Sequence, residues 1–502
     1  MRLLLVNPRF PESWWSTQWA LDEILPGKRA VNPPLGLATL AALAPAHWQV
    51  EIVDENVEDL PPDPKADIVG ICGMGVQFPR QKELLAHYRA RGYFVMAGGS
   101  YASLCPEQYE GLADAVVAGE AEYIFPAFCR DFESGAPLAL YHETGTVDLA
   151  HSPTPRFDLL RLDRYHYVTL QFSRGCPFRC EFCDIIVMFG RKPRVKSVEQ
   201  IGRELDELRR LGQRNVFFVD DNLIGNLPMA RKLLVYLKEY QERNSYRFHF
   251  GTEASLNLAQ YEDLLAKFRA ANFGWVFIGI ESTDPESLKE TMKTQNLHED
   301  ILVSIRRIYA HGIEVLAGFI IGFDHDTPDC FEQQYRFITD AGIQSAMIGL
   351  LTAMPKTPLY ERLKRESRLR TLEDVNENTR PATNVLPLLM SYDVMVDGYM
   401  ALYRRLLEDG EIARRIKNKL RFLAEPAAEC RPVIQSLTIL WRLFWRGIVP
   451  GGPKRLGLFL RTLEFSRPFA IPVAVSEWII ALSMRDYALR QLVLADEKPS
   501  PA

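Results

Sequence analysis

The run Ser173-Arg174-Gly175-Cys176-Pro177-Phe178-Arg179-Cys180-Glu181-Phe182-Cys183 places three cysteines in the spacing Cys-x₃-Cys-x₂-Cys. Three thiolates at this spacing can hold three irons of a [4Fe–4S] cluster, whereas electron-carrying clusters take four cysteines and close every iron. No fourth cysteine follows nearby, and no second cysteine pair or histidine pair that would complete a zinc site appears downstream. The run therefore predicts a cluster with one iron open to a ligand.

This run resembles the signature of the radical S-adenosylmethionine (SAM) superfamily, Cys-x₃-Cys-x-aromatic-Cys, with Phe182 as the aromatic residue. The resemblance implies that Cys176, Cys180 and Cys183 bind the cluster and that the amino and carboxylate groups of SAM chelate the open iron. Cleavage of SAM then gives a 5′-deoxyadenosyl radical that abstracts hydrogen from an unreactive carbon, while the protein positions and shields the cofactors. The alternative is a closed cluster or zinc site completed by a distant residue such as Cys330.

Length and composition fit a globular protein of about three domains, since the chain has 502 residues, of which 47% are hydrophobic and 25% charged. A net charge of −5 is too small to indicate a nucleic-acid partner. Eight cysteines in so long a chain do not form a disulfide scaffold, and the apolar stretch after Met1 is too short for a signal peptide. We therefore expect a cytoplasmic, reducing compartment.

Residues 1–140 alternate short apolar strands with helix-like stretches, which predicts a doubly wound α/β domain. Such domains bind ligands at the carboxyl ends of their strands. The predicted strands are Leu3–Val6, Val50–Val53, Ile68–Cys72, Phe94–Ala97 and Ala115–Val117, and the predicted helices include Leu35–Leu43 and Gln81–Arg91. Glycines follow the last three strands, where the absence of a Cβ would let the backbone approach a large flat ligand.

This half resembles the cobalamin (B12)-binding domains that precede radical SAM domains in one large class, on the stretches Pro33–Leu37, Val53–Asn56, Gly98–Ser103 and Gly119–Glu122. The Asp-x-His-x-x-Gly motif, whose histidine ligates cobalt, is absent, so the lower face of base-off cobalamin would meet water, a side chain or nothing. A nucleotide-binding or purely structural flavodoxin-like domain is the alternative. The resemblance implies cobalamin contacts from Gly73, Gly75, Gly98, Gly99, Ser100, Ser103, Gly119 and Glu120.

A linker over residues 141–165, with Pro153 and Pro155, leads to a second repeat of strands and helices over residues 166–365. Six strand–helix units match the partial (β/α)₆ barrel of radical SAM enzymes, in which function sits at the carboxyl ends of the strands. The strands are predicted at Tyr167–Phe172, Val216–Val219, Phe248–Gly251, Val276–Ile280, Val315–Ile321 and Met347–Leu350, and the helices between them include Val198–Leu211 and Met229–Tyr240.

The strand ends of this second repeat are polar or glycine-rich. Glu253 follows the third strand, and a carboxylate there or at the fourth strand can accept two hydrogen bonds from ribose hydroxyls. Asp220 and Asp221 either contact SAM or cap the next helix. Arg174 and Arg179 either neutralise the cluster or the SAM carboxylate, or lie at the surface. The resemblance implies SAM contacts from Phe182, Asp220, Glu281, Ser282, Gly318 and Gly322.

Residues 366–502 are predicted to form a separate helical domain, in which the non-helical segment Pro381–Pro387 either lies over the barrel mouth or is a plain loop. Between Arg431 and Arg467 there are seven basic residues and one acidic residue, interleaved with Trp and Phe. This mixture suits either an anionic membrane surface or packing on the barrel with snorkelling arginines. The apolar stretch Phe469–Met484 is only 16 residues long, too short to span a membrane.

The whole order of domains resembles a group that includes hopanoid C-2 methylases. It implies three cofactors, namely a [4Fe–4S] cluster, SAM and cobalamin, but does not identify a substrate, because the motifs serve unrelated reactions. We predict methylation of an unactivated carbon of a lipid or secondary metabolite, with a flavodoxin or ferredoxin as electron donor and possible peripheral contact with the inner face of the membrane. The alternatives are a rearrangement or cyclisation with the same cofactors and a non-catalytic iron–sulfur sensor.

Overall fold

The computed structural model of the chain describes residues 1–14, 16–370, 381–427 and 432–496. These residues form two sheets of parallel strands, each flanked by helices, followed by an all-helical region. The predicted α/β class with a helical C-terminal part is therefore confirmed. Arg431, where the basic segment begins, and residues 497–502 of the predicted helical domain lie outside the described residues.

The first sheet is doubly wound, as predicted. Alternate residues of its strands point to two separate cores: α1 and α4 cover one face, and α2 and α3 cover the other. The strands are β1 (Arg2–Asn7), β2 (Gln49–Asp54), β3 (Ile68–Cys72), β4 (Phe94–Gly98), β5 (Ala115–Ala118) and β6 (Leu140–His142), and the helices are α1 (Leu35–Leu43), α2 (Phe78–Arg89), α3 (Ser100–Leu104) and α4 (Ala121–Glu133).

The strand order of this sheet is β2-β1-β3-β4-β5-β6, with every neighbouring pair parallel. The direction of winding reverses between β1 and β3, and in open α/β sheets the ligand crevice lies outside the carboxyl ends of the strands at such a point. Asn7 and Cys72 end these two strands. The fold thus places a crevice beside the glycines that follow β3 and β4.

The second sheet follows the chain in order, β7-β10-β11-β12-β13-β14, with all pairs parallel. Within the described residues β7 and β14 do not pair, so the sheet is an open barrel of six strands, as predicted. A short antiparallel hairpin, β8 with β9, stands at its mouth. The strands are β7 (Val168–Leu170), β8 (Ser173–Arg174), β9 (Arg194–Val195), β10 (Asn215–Phe218), β11 (His249–Glu253), β12 (Phe273–Glu281), β13 (Glu314–Ile321) and β14 (Ala346–Leu350).

Amphipathic helices cover the outside of this barrel. The first long one starts at a capping box, in which the Ser197 hydroxyl accepts from the N–H of Gln200 and the Gln200 side chain accepts from the N–H of Ser197. Its apolar face is buried against the sheet. The helices are α5 (Ile185–Met188), α6 (Val198–Arg210), α7 (Leu227–Asn244), α8 (Glu262–Ala270), α9 (Pro285–Glu290), α10 (Ile301–Ala310), α11 (Asp329–Ala341) and α12 (Pro358–Arg365).

The C-terminal helices pack on both the barrel and the start of the chain. The Tyr403 hydroxyl donates to the carbonyl of Ile348 in β14 and accepts from its N–H, both at 2.8 Å. The Trp14 ring stacks on Tyr403 with centroids 4.2 Å apart. No helix among the described residues is both long and apolar enough to cross a bilayer. The helices are α13 (Tyr392–Leu406), α14 (Asp409–Phe422), α15 (Val433–Arg442), α16 (Gly452–Thr462) and α17 (Ala470–Asp496).

Two elements were not predicted. Strand β6 carries the first sheet into the stretch predicted as a linker, and its only buried residue, Tyr141, gives no apolar run that could be recognised. The hairpin of β8 and β9 has two residues a side and joins segments about 20 residues apart, which no local pattern reports. All eleven predicted strands are present, with ends shifted by a few residues.

Candidate functional site

The cysteine-bearing segment 173–183, here called the cluster loop, is held at its start by two carboxylates from the end of β10. Asp220 Oδ1 accepts hydrogen bonds from the backbone N–H groups of Phe172, at 3.0 Å, and of Ser173. Asp221 Oδ2 accepts from the N–H of Gly175 at 2.7 Å. Neither aspartate caps the next helix, α7, which has its own asparagine cap. The carboxylates therefore position the loop.

These carboxyl groups form a buried acidic cluster with Glu253 at the end of β11. Burial raises the pKa of Asp220 to about 7 and that of Asp221 to about 6, and each has a second acid nearby that acts in the same direction. Burial and the charges of both aspartates raise the pKa of Glu253 to about 8. Asp220 Oδ2 is buried with no hydrogen-bond partner among the described residues. A cationic ligand, such as a sulfonium, would relieve the repulsion among these acids.

Gly175 makes the sharp entry into the cysteine run possible. Its φ of +92° lies in the left-handed region, and a Cβ there would stand 2.9 Å from the carbonyl oxygen of Gly190. The loop therefore packs against the segment that leads to β9. A side chain at this position would push the two backbones apart.

The middle of the cluster loop is tied to the opposite side of the barrel mouth by Glu181. Its N–H donates to the carbonyl of Thr291 at 3.1 Å, and its carboxylate accepts from Arg362 at 2.7 Å. The same guanidinium donates to Asp324, after β13, at 2.6 Å. Ion pairs thus fix this part of the loop against α12 and the end of β13.

The three motif cysteines lie within electrostatic reach of one another, and two of them face amide donors. Asn222 Nδ2 stands 4.0 Å from Cys176 Sγ, and Gln295 Nε2 stands 3.7 Å from Cys180 Sγ. Burial raises the pKa of the Cys176 and Cys183 thiols, with the charge of Cys180 adding to the effect. Thiols buried in this way become thiolates when a metal centre compensates their charge.

No group of three or more Cys, His, Asp or Glu side chains within the described part of the chain converges as a single metal ion requires. Cys330, the distant residue considered above, lies on α11 beside Asp326 and Asp329. The zinc alternative therefore finds no ligand set. Three thiols that each bind a different iron of one cluster need not meet at one point, so the donor set fits a [4Fe–4S] cluster.

Lys293 supplies the positive charge beside these thiols. Its Nζ lies 2.8 Å from Glu281 Oε1 at the end of β12. Burial works against its charge, but Glu281 and the Cys180 and Cys183 thiolates outweigh burial and raise its pKa above the usual value. A Cβ on Gly279 would lie 2.2 Å from Glu281 Oε1, so this pair needs the glycine.

Glu281 itself has a strained backbone, with φ of +66° at an irregularity in the pairing of β12 with β13. This turn aims its carboxylate at Lys293. The neighbouring Ser282 is buried, and its hydroxyl accepts from the N–H of Asp284 at 3.1 Å. The sequence identified both residues but not the lysine that engages the carboxylate.

The remaining predicted SAM contacts lie around an apolar cluster at the same mouth. The Phe182 ring packs against Phe323 with centroids 6.2 Å apart, in a cluster completed by Val385 from the segment Pro381–Pro387. That segment lies at the end of β14, where Asn384 exchanges two hydrogen bonds of 2.9 Å with the backbone of Ala353. It therefore covers one side of the barrel mouth.

Gly318 and Gly322 bound the end of β13 on this side. A Cβ on Gly318 would lie 3.1 Å from the Phe277 ring, and one on Gly322 would lie 2.9 Å from the sulfur of Met395. The N–H of Gly322 donates to Asp326 at 2.8 Å. Gly322 has a φ of +113°, which favours glycine, whereas a Cβ on Gly318 would require only a small shift of the Phe277 ring.

The sequence analysis missed two polar residues here, Gln295 and Asn296. Asn296 Nδ2 donates to the carbonyls of Gly279 and Ile280 at 3.1 and 3.0 Å. Gln295 Oε1 and Asn296 Oδ1 are buried acceptors without hydrogen-bond partners among the described residues. Amino and hydroxyl groups of SAM could satisfy such acceptors. They lie in a short turn with no recognisable motif, so only the tertiary structure reveals them.

Arg174 links the cluster loop to the first sheet. Its guanidinium donates to Glu120 at 2.7 Å and to Glu122 at 2.8 Å, and Arg194 of β9 donates to Glu120 as well. All four side chains are nearly buried. Burial alone would raise the pKa of Glu122, but Arg174 outweighs it and lowers the pKa. Arg174 thus neutralises two glutamates rather than a cluster, whereas Arg179 is exposed.

A cavity of about 1190 Å³ opens at the carboxyl edge of the first sheet and extends to the barrel. Its wall on the barrel side includes Arg174, Met188 and Phe189. Of the residues predicted to contact cobalamin, seven line it, whereas Gly75 begins a short 3₁₀ turn and lies outside its wall. The seven are Gly73, Gly98, Gly99, Ser100, Ser103, Gly119 and Glu120.

The cavity fits a macrocycle. Its volume exceeds the roughly 300–1,000 Å³ of most small-ligand pockets, and no histidine is among the described residues that line it. Apolar side chains and glycine backbone dominate the edge of the sheet. A corrin ring could therefore enter without an imidazole ligand from the protein.

Two of these glycines, Gly99 and Gly119, are also required by close contacts within the protein. Gly99 has φ of +102°, and a Cβ would lie 2.3 Å from the carbonyl oxygen of Gly73. A Cβ on Gly119 would lie 2.5 Å from Cβ of Glu143. The Ser103 hydroxyl joins these turns, since it donates to the carbonyl of Gly99 and accepts from the N–H of Gly119, both at 2.9 Å. Close packing within the protein by itself requires glycine at both positions.

Three family models match separate parts of the chain. The B12 binding domain matches residues 29–129, and the Radical SAM superfamily matches residues 170–338. A domain of unknown function, DUF4070, matches residues 357–488.

Two relatives cover most of the chain. An uncharacterized methyltransferase of Synechocystis sp. is 38% identical over 455 residues, which cover 89% of this chain and 84% of the relative. The hopanoid C-2 methylase of Rhodopseudomonas palustris is 35% identical over 463 residues, which cover 89% of this chain and 86% of the relative. Both support methyl transfer over the non-methylating and sensor alternatives.

Two solved structures share the fold. The cobalamin-dependent S-adenosylmethionine radical enzyme OxsB, with aqua-cobalamin bound, matches with a TM-score of 0.62 at 16% identity, over 99% of this chain and 82% of OxsB. The radical S-adenosylmethionine methyltransferase TsrM from Kitasatospora setae matches with a TM-score of 0.60 at 16% identity, over 92% of this chain and 99% of TsrM. The chain therefore belongs to the cobalamin-dependent radical SAM methyltransferases, whose cofactors are a [4Fe–4S] cluster, SAM and cobalamin.

Proposed function

We propose that this enzyme methylates an unactivated carbon of an apolar small molecule, a lipid or a related polycyclic metabolite. The observation that carries the proposal is the shared cavity, whose walls come from the glycine turns of the first sheet and from the residues around the cluster loop. Leu35, Leu40, Met96 and Phe10 make much of its wall apolar. The hopanoid methylases among the relatives support a substrate of this class.

The residue roles follow from the geometry. Cys176, Cys180 and Cys183 would hold the cluster, while Asp220, Asp221 and Glu181 hold their loop. When bound, the cluster and SAM supply a carbon radical and cobalamin supplies the methyl group. The protein binds and orients these groups and excludes water from the buried mouth. We propose domain boundaries near residues 142, 165 and 365, of which the first differs from the predicted 140 because strand β6 extends to His142.

SAM would lie between the thiols and the ends of β12 and β13. Gln295 and Asn296 offer it two unpartnered acceptors, and Lys293 balances the negative charge of the thiolates. Phe182, Glu281, Ser282, Gly318 and Gly322 border the same space. Asp220 Oδ1 would hold the backbone of the cluster loop. Its buried Oδ2, in the acidic cluster with Asp221 and Glu253, would be free to accept a cation.

An acidic one-electron carrier, such as a flavodoxin or ferredoxin, would reduce the cluster. Three exposed cations support this assignment, because Arg179 lies in the cluster loop and Arg191 and Lys192 lie beside it. Arg191 reaches the carbonyl of Pro177 at 3.4 Å. Charge complementarity of this kind speeds encounter between proteins.

We expect the enzyme, loaded with cluster and cobalamin and given SAM, a flavodoxin reducing system and a total lipid extract, to form S-adenosylhomocysteine and 5′-deoxyadenosine together. Liquid chromatography with mass spectrometry measures both products, and Cys176→Ala is the control without a cluster. 5′-Deoxyadenosine alone would contradict methyl transfer, and neither product would indicate an iron–sulfur sensor.

Replacing any one motif cysteine, as in Cys176→Ala, Cys180→Ala or Cys183→Ala, should abolish reductive SAM cleavage, because one iron loses its ligand. The wild type should hold about four irons per chain. Iron content and 5′-deoxyadenosine formation are measured on the same preparations. Cys330→Ala is the matched control and should keep both. Full cleavage by a motif variant would refute the assignment.

Ser100→Phe should lower cobalamin loading about tenfold or more, because the ring would occupy cavity volume that the corrin needs. Ser100 lines the cavity, and its side chain makes no hydrogen bond among the described residues that an added ring would break. The visible spectrum after reconstitution with hydroxocobalamin measures loading. Ser134→Phe, at an exposed position, is the control. Equal cobalamin loading of both variants, each with a full cluster, would contradict the assignment of the corrin to this cavity.

Arg174→Met should destabilise the folded protein by about 3–5 kcal/mol, because it leaves Glu122 buried without an ion-pair partner among the described residues and leaves Glu120 with Arg194 alone. Urea titration followed by fluorescence measures the loss. Arg210→Met, which breaks the exposed pair with Glu207, should change stability little. A loss no larger than that of the control would show that the domains are not joined through Arg174.

A further inference from the structure

Helix α15 exposes a row of large apolar side chains that nothing in the described structure covers. Val433 is 73% exposed, Ile434 80%, Leu437 60% and Trp441 59%. Ile439 is the only buried residue of this helix, Val433–Arg442. We call this surface the α15 face.

The α15 face is continuous along the helix. Residues at i, i+1, i+4 and i+8 of an α-helix share one side, so Val433, Ile434, Leu437 and Trp441 form a single stripe. The buried Ile439 points away from that stripe toward the protein. A π-helical turn, Leu443–Ile448, prolongs the helix and adds Trp445, which is 53% exposed.

The segment that carries the face is basic, and the acidic residues on the turn packed against α15, Ala20–Ile24, are Asp22 and Glu23. No aspartate or glutamate occurs between Pro432 and Leu463. Arg446 pairs with Glu23 and Arg455 with Asp409, but Lys454 and Arg461 on α16 are exposed and form no ion pair within the described residues. Apolar side chains thus stand in a segment of positive charge.

We propose that the α15 face docks the enzyme on the surface of an anionic lipid membrane. Tryptophan favours the headgroup region, and apolar side chains beside cations suit an interfacial helix. A second copy of the chain fits less well, because a symmetric contact would bring the same unpaired cations together. This inference goes beyond the proposed function and is independent of the substrate that the enzyme methylates.

The test is flotation of the full-length protein with vesicles of 70% phosphatidylcholine and 30% phosphatidylglycerol. We expect binding at low salt that falls as salt rises. The affinity of the triple variant Ile434→Ser/Leu437→Ser/Trp441→Ser for these vesicles should be lower by a factor of about ten or more. Lys454→Gln and Arg461→Gln should each reduce binding roughly fivefold.

The matched control is Leu138→Ser/Leu389→Ser, which removes apolar side chains of similar exposure elsewhere, 57% and 52%. It should bind as the wild type does, and all variants should keep a full cluster and an unchanged melting temperature. Absence of low-salt binding, or equal binding by the triple variant, would overturn the proposal. So would a concentration-dependent dimer in sedimentation that the same triple variant abolishes.

Discussion

The arrangement of the site depends on one buried ion network, in which Arg174 of the cluster loop binds Glu120 and Glu122 at the start of α4, the helix that follows β5. Charges withdrawn from water are tolerated only when they are paired, and an unpaired member would carry a large penalty. Because Arg174 stands two residues before Cys176, the network fixes where the thiols lie relative to the cavity. The network thus adds to the hydrophobic cluster that the two sheets share, and it holds the sheets in one geometry.

The polar side chains at the strand ends around this network have two different roles. Carboxylates after β10 and β12 are engaged by the protein itself: Asp220 and Asp221 by the loop backbone, and Glu281 by Lys293. The groups left without partners, such as the acceptors of Gln295 and Asn296, are those that a ligand can use. The site therefore has two kinds of polar side chain. Some are engaged by the protein and position the loop, and others have free acceptors that a ligand can use.

Much of this could be predicted from sequence, for identifiable reasons. Buried parallel strands are short apolar runs, so the strands of both sheets can be recognised in the sequence. The spacing of the three cysteines predicts an iron–sulfur cluster without further information. The partners of Glu120 and Glu281 are not predictable, because Arg174 and Lys293 meet them only through tertiary packing. Gly99 shows a further limit: the sequence identifies a glycine beside the cavity, but only the structure shows that the backbone of Gly73 leaves no room for a Cβ there.

Cobalamin bound in the cavity of the first sheet should lie close to the cluster, because Arg174 lines that cavity and stands two residues before Cys176. Electron paramagnetic resonance of the enzyme, prepared with cob(II)alamin and a reduced [4Fe–4S] cluster together, tests it directly. The account predicts that each spectrum is broadened or split by the other spin, and that the effect disappears in Cys176→Ala, which retains cob(II)alamin alone. Two superimposed spectra without mutual interaction, from protein that holds both centres in full, would contradict it.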